Sequence, residues 1–312
     1  MQYTRFRRYA WIVIFYNIGV ILWGAIVRAT GSGAGCGNHW PTCNGDIIPQ
    51  PEAIETMIEF AHRLTSGFSG ILVIILLIWA FKLYPPHRFV RINAILSFLF
   101  ILIEGGLGAL LVRLELVADN TSASRAVVIG LHLINTLVLL LFLTLVAWGA
   151  SKQAEEIHKR ISTKHIFLMT VSLILTALLS AFGAVTALGD TLFPAESLMA
   201  GFKADLDSTA HFMIQLRVIH PILALLTAFY LFYLGAYIRR KFTQSNVQKL
   251  WRNIFFIILL QLSIGFINVI FLAPIWVQLI HLALADILWI ALVVVFAEMW
   301  ITNPSTLEIK AD

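Results

Sequence analysis

The chain has 312 residues, of which 59% are hydrophobic and 12% charged, with a formal net charge of +5 and a mean hydropathy of +0.86. An ordinary soluble domain carries about 25% charged residues, so the composition excludes that class. The basic residues flank the apolar runs instead of forming a patch, which argues against a nucleic-acid partner and for loops on the cytoplasmic face of a membrane.

Eight apolar runs follow in chain order, near residues 10–29, 59–82, 92–113, 126–149, 166–188, 212–238, 253–273 and 278–300. Each has about 20 residues or more, enough to cross a hydrocarbon core of ~30 Å as a helix. Helix is also the form that satisfies its own backbone in lipid. The first run is too long for the apolar stretch of a signal peptide and lacks a small-residue cleavage site, so no cleavable leader is expected.

Charge sets the orientation. Arg5, Arg7, Arg8, Lys82, Arg88, Arg91, Lys152, Lys159, Arg160, Lys164, Arg239, Arg240, Lys241, Lys249, Arg252 and Lys310 fall on one side, while the other holds only Arg113, Arg125 and Lys203 clear of the spans. The positive-inside rule then places both termini in the cytoplasm and segments 30–58 and 189–211 outside. Cys36 and Cys43 both lie in the first outer segment, where a disulfide can persist. They read either as a structural staple for the loop or as a redox-active pair. Zinc is less well served, because Cys36, Cys43 and His39 lack a fourth ligand.

Spans 1–4 match spans 5–8. Trp23-Gly24-Ala25-Ile26-Val27 answers Phe182-Gly183-Ala184-Val185-Thr186, Leu107-Gly108 answers Ile264-Gly265, and Leu131-His132-Leu133 answers Ile280-His281-Leu282. Four spans per half make the repeat parallel, with its pseudo-twofold axis along the membrane normal. The expected fold is all-α, eight transmembrane helices in two pseudo-symmetric four-helix bundles, residues 1–150 and 151–312. Gly105, Gly106 and Gly108 are expected to let helices approach closely.

Ionisable residues inside spans are costly and point to function. The set comprises Glu59, His62, Arg63, Glu104, His132, Arg217, His220, His281, Asp286 and Glu298. The four histidines sit early in spans 2, 4, 6 and 8, at similar depth toward the outer leaflet. A single histidine in a span is commonly a helix–helix hydrogen-bond partner, but four at repeat-equivalent positions suit axial ligation of heme iron inside a bundle. The natural pairs are His62 with His132 and His220 with His281. Copper or zinc is less well supported, since nothing completes such a site in both halves.

The halves differ chemically. Glu59 precedes His62 by one turn, where Arg217 precedes His220; Arg63 follows His62, where Pro221 follows His220. Glu59 is thus a candidate proton-handling group on one side only, against the plainer reading of a solvated residue at the membrane edge. Arg28, Arg63 and Arg217 are candidates for pairing with heme propionates, or else interfacial anchors. His39, His87, His158 and His165 read as loop or boundary residues, and Asp286 and Glu298 as packing or hydrogen-bond groups.

Gly24 through Gly33, then Cys36 through Trp40-Pro41-Thr42-Cys43-Asn44-Gly45, together resemble the heme A synthase signature. So do Glu59-Phe60-Ala61-His62-Arg63-Leu64 and the histidines of spans 4, 6 and 8. The cysteines resemble the bacterial type with a pair in the first extracytoplasmic loop. The resemblance implies a membrane oxidoreductase that converts heme o to heme a for terminal oxidases, taking a ring methyl group through a hydroxymethyl intermediate to a formyl group. It implies that Glu59, His62 and His132 serve the substrate heme and that His220 and His281 hold a resident heme b. The Cys36–Cys43 pair would pass reducing equivalents or shape the loop. Heme O synthase and oxidase assembly factors are the partners it implies. Asn38 stands where many relatives carry an acidic residue. Two other classes fit the repeat: a cytochrome b-type electron carrier, which has no need of Glu59 on one side alone, and a transporter, which needs no heme.

Overall fold

A computed structural model describes residues 2–50, 53–86, 88–151 and 162–301. Among them the chain is helical: α1 (Gln2–Ala29), α2 (Ile54–Leu83), α3 (Phe89–Arg113), α4 (Ala123–Gly149), α5 (Thr163–Leu192), α6 (Leu198–Asp205), α7 (Phe212–Lys241), α8 (Ser245–Ile270) and α9 (Ile275–Ile301). All but α6 are long and apolar enough to span a membrane, eight in number as the sequence predicts. Most begin before the apolar run does, because charged first turns such as Gln2-Tyr3-Thr4-Arg5 continue the helix beyond the hydrocarbon. Helix α6 was not expected. It follows Ser197, whose side chain accepts the Ala200 N–H, an ordinary N-cap. Lys152, Lys159, Arg160, Lys310, His87 and His158 lie outside the described residues.

Two rings of helix contacts result. Helices α1, α2, α3 and α4 close on one another, as do α5, α7, α8 and α9; α4 and α1 join the rings by packing on α5 and α9. Two tryptophans stitch α4 to α9. Trp289 Nε1 donates to Leu137 O at 2.7 Å, and Trp148 Nε1 donates to Glu298 Oε1 at 2.8 Å, which gives Glu298 the hydrogen-bond role expected of it.

The repeat extends to helix ends. Helix α3 stops with Glu115 at φ 54° and α8 with Leu272 at φ 58°. Leu116 N–H bonds to Leu111 O, and Ala273 N–H bonds to Asn268 O, at 2.8 and 2.7 Å. These are the same left-handed C-terminal caps at equivalent positions of the two halves.

The apolar core lies at one end of each bundle. Phe6, Val13, Ile14, Leu76, Ala94, Leu140 and Leu143 fill the end of the first ring that carries the N terminus. Leu234, Ile238, Phe242, Trp251, Ile254 and Leu292 fill the same end of the second. The histidines lie toward the opposite end, beyond these clusters.

Candidate functional site: two histidine pairs

Each histidine is half-buried; the Nδ1 nitrogens of His62, His220 and His281 are buried and make no well-formed hydrogen bond among the described residues, and that of His132 faces Glu104. A buried polar atom left unpaired costs about 1–3 kcal/mol. Three at equivalent positions are an unfavourable arrangement for plain packing and a natural one for rings that bind a ligand. His62 lies within electrostatic reach of His132, and His281 within reach of His220.

Three rings rest on glycine. A Cβ on Gly24 of α1 would stand 3.1 Å from His62 Cε1, one on Gly183 of α5 would stand 2.9 Å from His220 Cε1, and one on Gly265 of α8 would stand 3.1 Å from His281 Cε1. The absent side chain is the seat of the imidazole. Gly108 breaks the pattern, since a Cβ there meets nothing within 4 Å. The same holds at Gly105 and Gly106, which corrects the expectation that these glycines bring helices together. They leave open space along α3.

His132 turns to a carboxylate instead. Glu104 Oε1 lies 3.1 Å from His132 Nδ1, off the line of an ideal hydrogen bond. Asn135 Nδ2 donates to Glu104 Oε2, and the Thr136 hydroxyl donates to Glu104 Oε1. Sequence reasoning noted Glu104 as an ionisable residue within a span and gave it no role.

Glu59 is 3% exposed, which rules out the solvated-edge reading. Its Oε2 accepts the Cys36 N–H at 2.8 Å, and its Oε1 pairs with Arg63. Arg63 Nη1 donates to His39 O and Thr42 O at 2.6 Å each. Thr56 Oγ1 donates to Gly35 O at 2.7 Å. A side chain at Gly35 would collide with the Glu55 backbone at 2.4 Å, so glycine is obligatory where the loop sits on α2. Cys36 and Cys43 are joined in a disulfide. Asn38 Nδ2 donates to Glu115 Oε1 at 3.3 Å.

The second half closes differently. Arg217 Nε lies 2.9 Å from Asp190 Oδ1, and its Nη1 lies 3.7 Å from Asp205 Oδ1 on α6. Arg217 Nη2 also donates to Gly189 O at 2.8 Å. Burial pushes the Asp205 carboxyl up, and Arg217 works against it. Arg28 crosses between halves: its Nη1 donates to Thr191 Oγ1 and its Nη2 to Gln278 Oε1, both at 2.7 Å, and Nη1 also reaches Ala187 O. All three candidate propionate arginines thus have protein acceptors. His39 lies in the loop, His165 is buried in the first turn of α5 against Ser162, and His211 caps α7. Asp286 is wholly buried and its oxygens find no hydrogen bond among the described residues.

Eight long apolar helices make the protein a polytopic helical membrane protein, and its span histidines fall two to each half. The profile of cytochrome oxidase assembly proteins named COX15-CtaA matches residues 7–293, and the chain belongs to that family. It is 40% identical over 291 residues to a protoheme IX farnesyltransferase of Thermus thermophilus, covering 93% of this chain and 48% of that protein. The chain therefore spans about half the length of that curated relative. It is 29% identical over 262 residues to a heme A synthase of Exiguobacterium sp., covering 83% of this chain and 82% of the relative. It is 45% identical over 102 residues to a heme A synthase of Bacillus mycoides, covering 32% and 33%.

Proposed function

We propose that the chain is a heme A synthase, a membrane oxidoreductase that takes a methyl group of heme o through a hydroxymethyl to a formyl group, giving heme a for terminal oxidases. The observation that carries it is the set of four half-buried histidines, two to each half at repeat-equivalent positions, in a member of the COX15-CtaA family.

In this reading the units are residues 1–150 and 151–312, the termini face the cytoplasm, and both sites open toward the outer side of the cell membrane. His62 and His132 bind the iron of the substrate, heme o. His220 and His281 bind a resident heme b, which when bound supplies one-electron transfer. The three glycine seats would hold ligating rings closely against their neighbouring helices.

Glu59 serves the first half alone. Buried beneath the cysteine loop and paired with Arg63, it is placed to accept a proton or offset positive charge as the methyl group is oxidised. The Cys36–Cys43 loop excludes water above it and is the candidate route for reducing equivalents. Arg28, Arg63 and Arg217 cluster at the outer ends of the bundles, and contact with propionates there requires exchange of their present acceptors.

The Thermus relative adds to a region like this chain a second region of comparable length and bears a farnesyltransferase name. A partner that performs protoheme farnesylation, a heme O synthase, is therefore the favoured source of substrate, ahead of other oxidase assembly factors.

The test is pigment analysis by mass. Membranes making heme o are compared with and without the protein, and heme a is expected to appear at the expense of heme o. Unchanged heme o sinks the reading. A bound heme b without product instead supports the cytochrome b-type carrier, and a colourless purified protein the transporter. Glu59→Ala is expected to bind heme yet lose heme a or stop at the alcohol; normal output from that variant removes Glu59 from the chemistry.

A further inference from the structure

The two histidine pairs match by helix but not by the group behind each ring. Four residues before Gly108 on α3 stands Glu104, and four before Gly265 on α8 stands Gln261. The Glu104 carboxylate is fixed by Asn135 and Thr136, one turn beyond His132 on α4. Asn135 is itself anchored to Phe100 O at 3.0 Å. Held this way, the carboxylate stays 3.1 Å from His132 Nδ1. At the same spacing after His281 the chain has Leu284 and Ala285, which have nothing to hold a carboxylate. There the neutral amide of Gln261 lies 3.3 Å from His281 Nε2, the other ring nitrogen, and no carboxylate or amide among the described residues hydrogen-bonds to His281 Nδ1.

Resting on the proposal that these histidines ligate heme iron, we infer that Glu104 is a positioning residue that makes the first histidine pair a stronger electron donor to iron than the second. A carboxylate behind a ligating imidazole fixes the ring and raises its basicity. A stronger donor stabilises the oxidised metal and lowers its reduction potential, one of the ways a protein tunes heme. The negative charge acts through space in the same direction. Gln261 supplies neither the charge nor the basicity. Sites with identical ligands are thereby set at different potentials, the lower one where Glu59 and the disulfide loop stand. That difference favours oxidation at the first site and electron storage at the second.

The experiment loads purified full-length protein with hemin and follows a potentiometric titration through the absorption bands. Wild type is expected to give two components. Glu104→Gln raises the lower one by about tenfold in its redox equilibrium, about 59 mV for one electron. Gln261→Glu lowers the other component. Glu104→Asp, which keeps the charge, returns toward the wild-type value. The inference is overturned if Glu104→Gln binds both hemes at wild-type potentials, or if the two variants move the same component. Should Glu104→Gln fail to accumulate, Gln261→Glu decides the matter, and an unmoved potential there also overturns it. Failure of the underlying ligand assignment looks different: His132→Ala then keeps its full load of hemin.

Discussion

In the first half, the connection from α1 to α2 folds back as a disulfide-closed loop seated on α2 through Glu59, Arg63 and Thr56. In the second, the connection from α5 to α7 carries α6 and is held by Arg217 between Asp190 and Asp205. The helices, glycine seats and C-terminal caps repeat; the closures do not. A covalent staple holds its loop whatever the local charge, whereas an ionic clamp depends on every member being present. The two halves thus share a way of presenting histidines and differ in how the loop beside them is held.

The comparison can be broken most sharply at the histidines. On the proposed function, His62→Ala and His220→Ala each remove the heme of one half and leave the absorption of the other, as pyridine hemochrome analysis of purified protein can read. A variant that loses both hemes shows the halves to be a single site. Next in size, Arg217→Ala removes the cation that pairs with Asp190 and Asp205, a loss of about 2 kcal/mol for half-buried pairs. Its signature is a lower thermal midpoint for release of the second-half heme alone. Cys36→Ser with Cys43→Ser removes a short covalent loop and costs about 2 kcal/mol by loop entropy. Faster proteolysis of residues 36–43 is expected, with α6 unaffected. The smallest effect sharpens the repeat itself. Gly183→Ala forces the His220 ring to move and weakens heme retention on the order of tenfold, the scale seen for disturbed support of a metal ligand. Gly108→Ala meets open space and leaves retention unchanged; equal losses from the two refute the glycine-seat account.

Much of this was legible in the sequence, for identifiable reasons. The eight spans follow from hydropathy, and the histidine pairs follow from the offset between halves, because a parallel repeat places equivalent residues at equal depth. The match of Trp23-Gly24 with Phe182-Gly183 already contained two ring seats, although their purpose needed the neighbouring helix. Glu104 was visible as an ionisable residue, but its tie to His132 joins α3 to α4 and leaves no mark in either segment alone. The burial of Glu59 depends on a loop folding back over it, and helix periodicity carries no information about that. Helix α6, eight residues long, is too short to announce itself by hydropathy. Gly105 and Gly106 misled because small residues within a span signal either close approach or open space, and composition does not distinguish the two.

Arg28 has a consequence of its own. It stands four residues after the seat of His62, and its guanidinium reaches Ala187 and Thr191, four and eight residues after the seat of His220, and Gln278, three residues before His281. One side chain therefore gauges the distance between the two pairs. Electron tunnelling falls exponentially with separation, so on the proposed function this arginine is a spacer that sets the tempo of exchange between them.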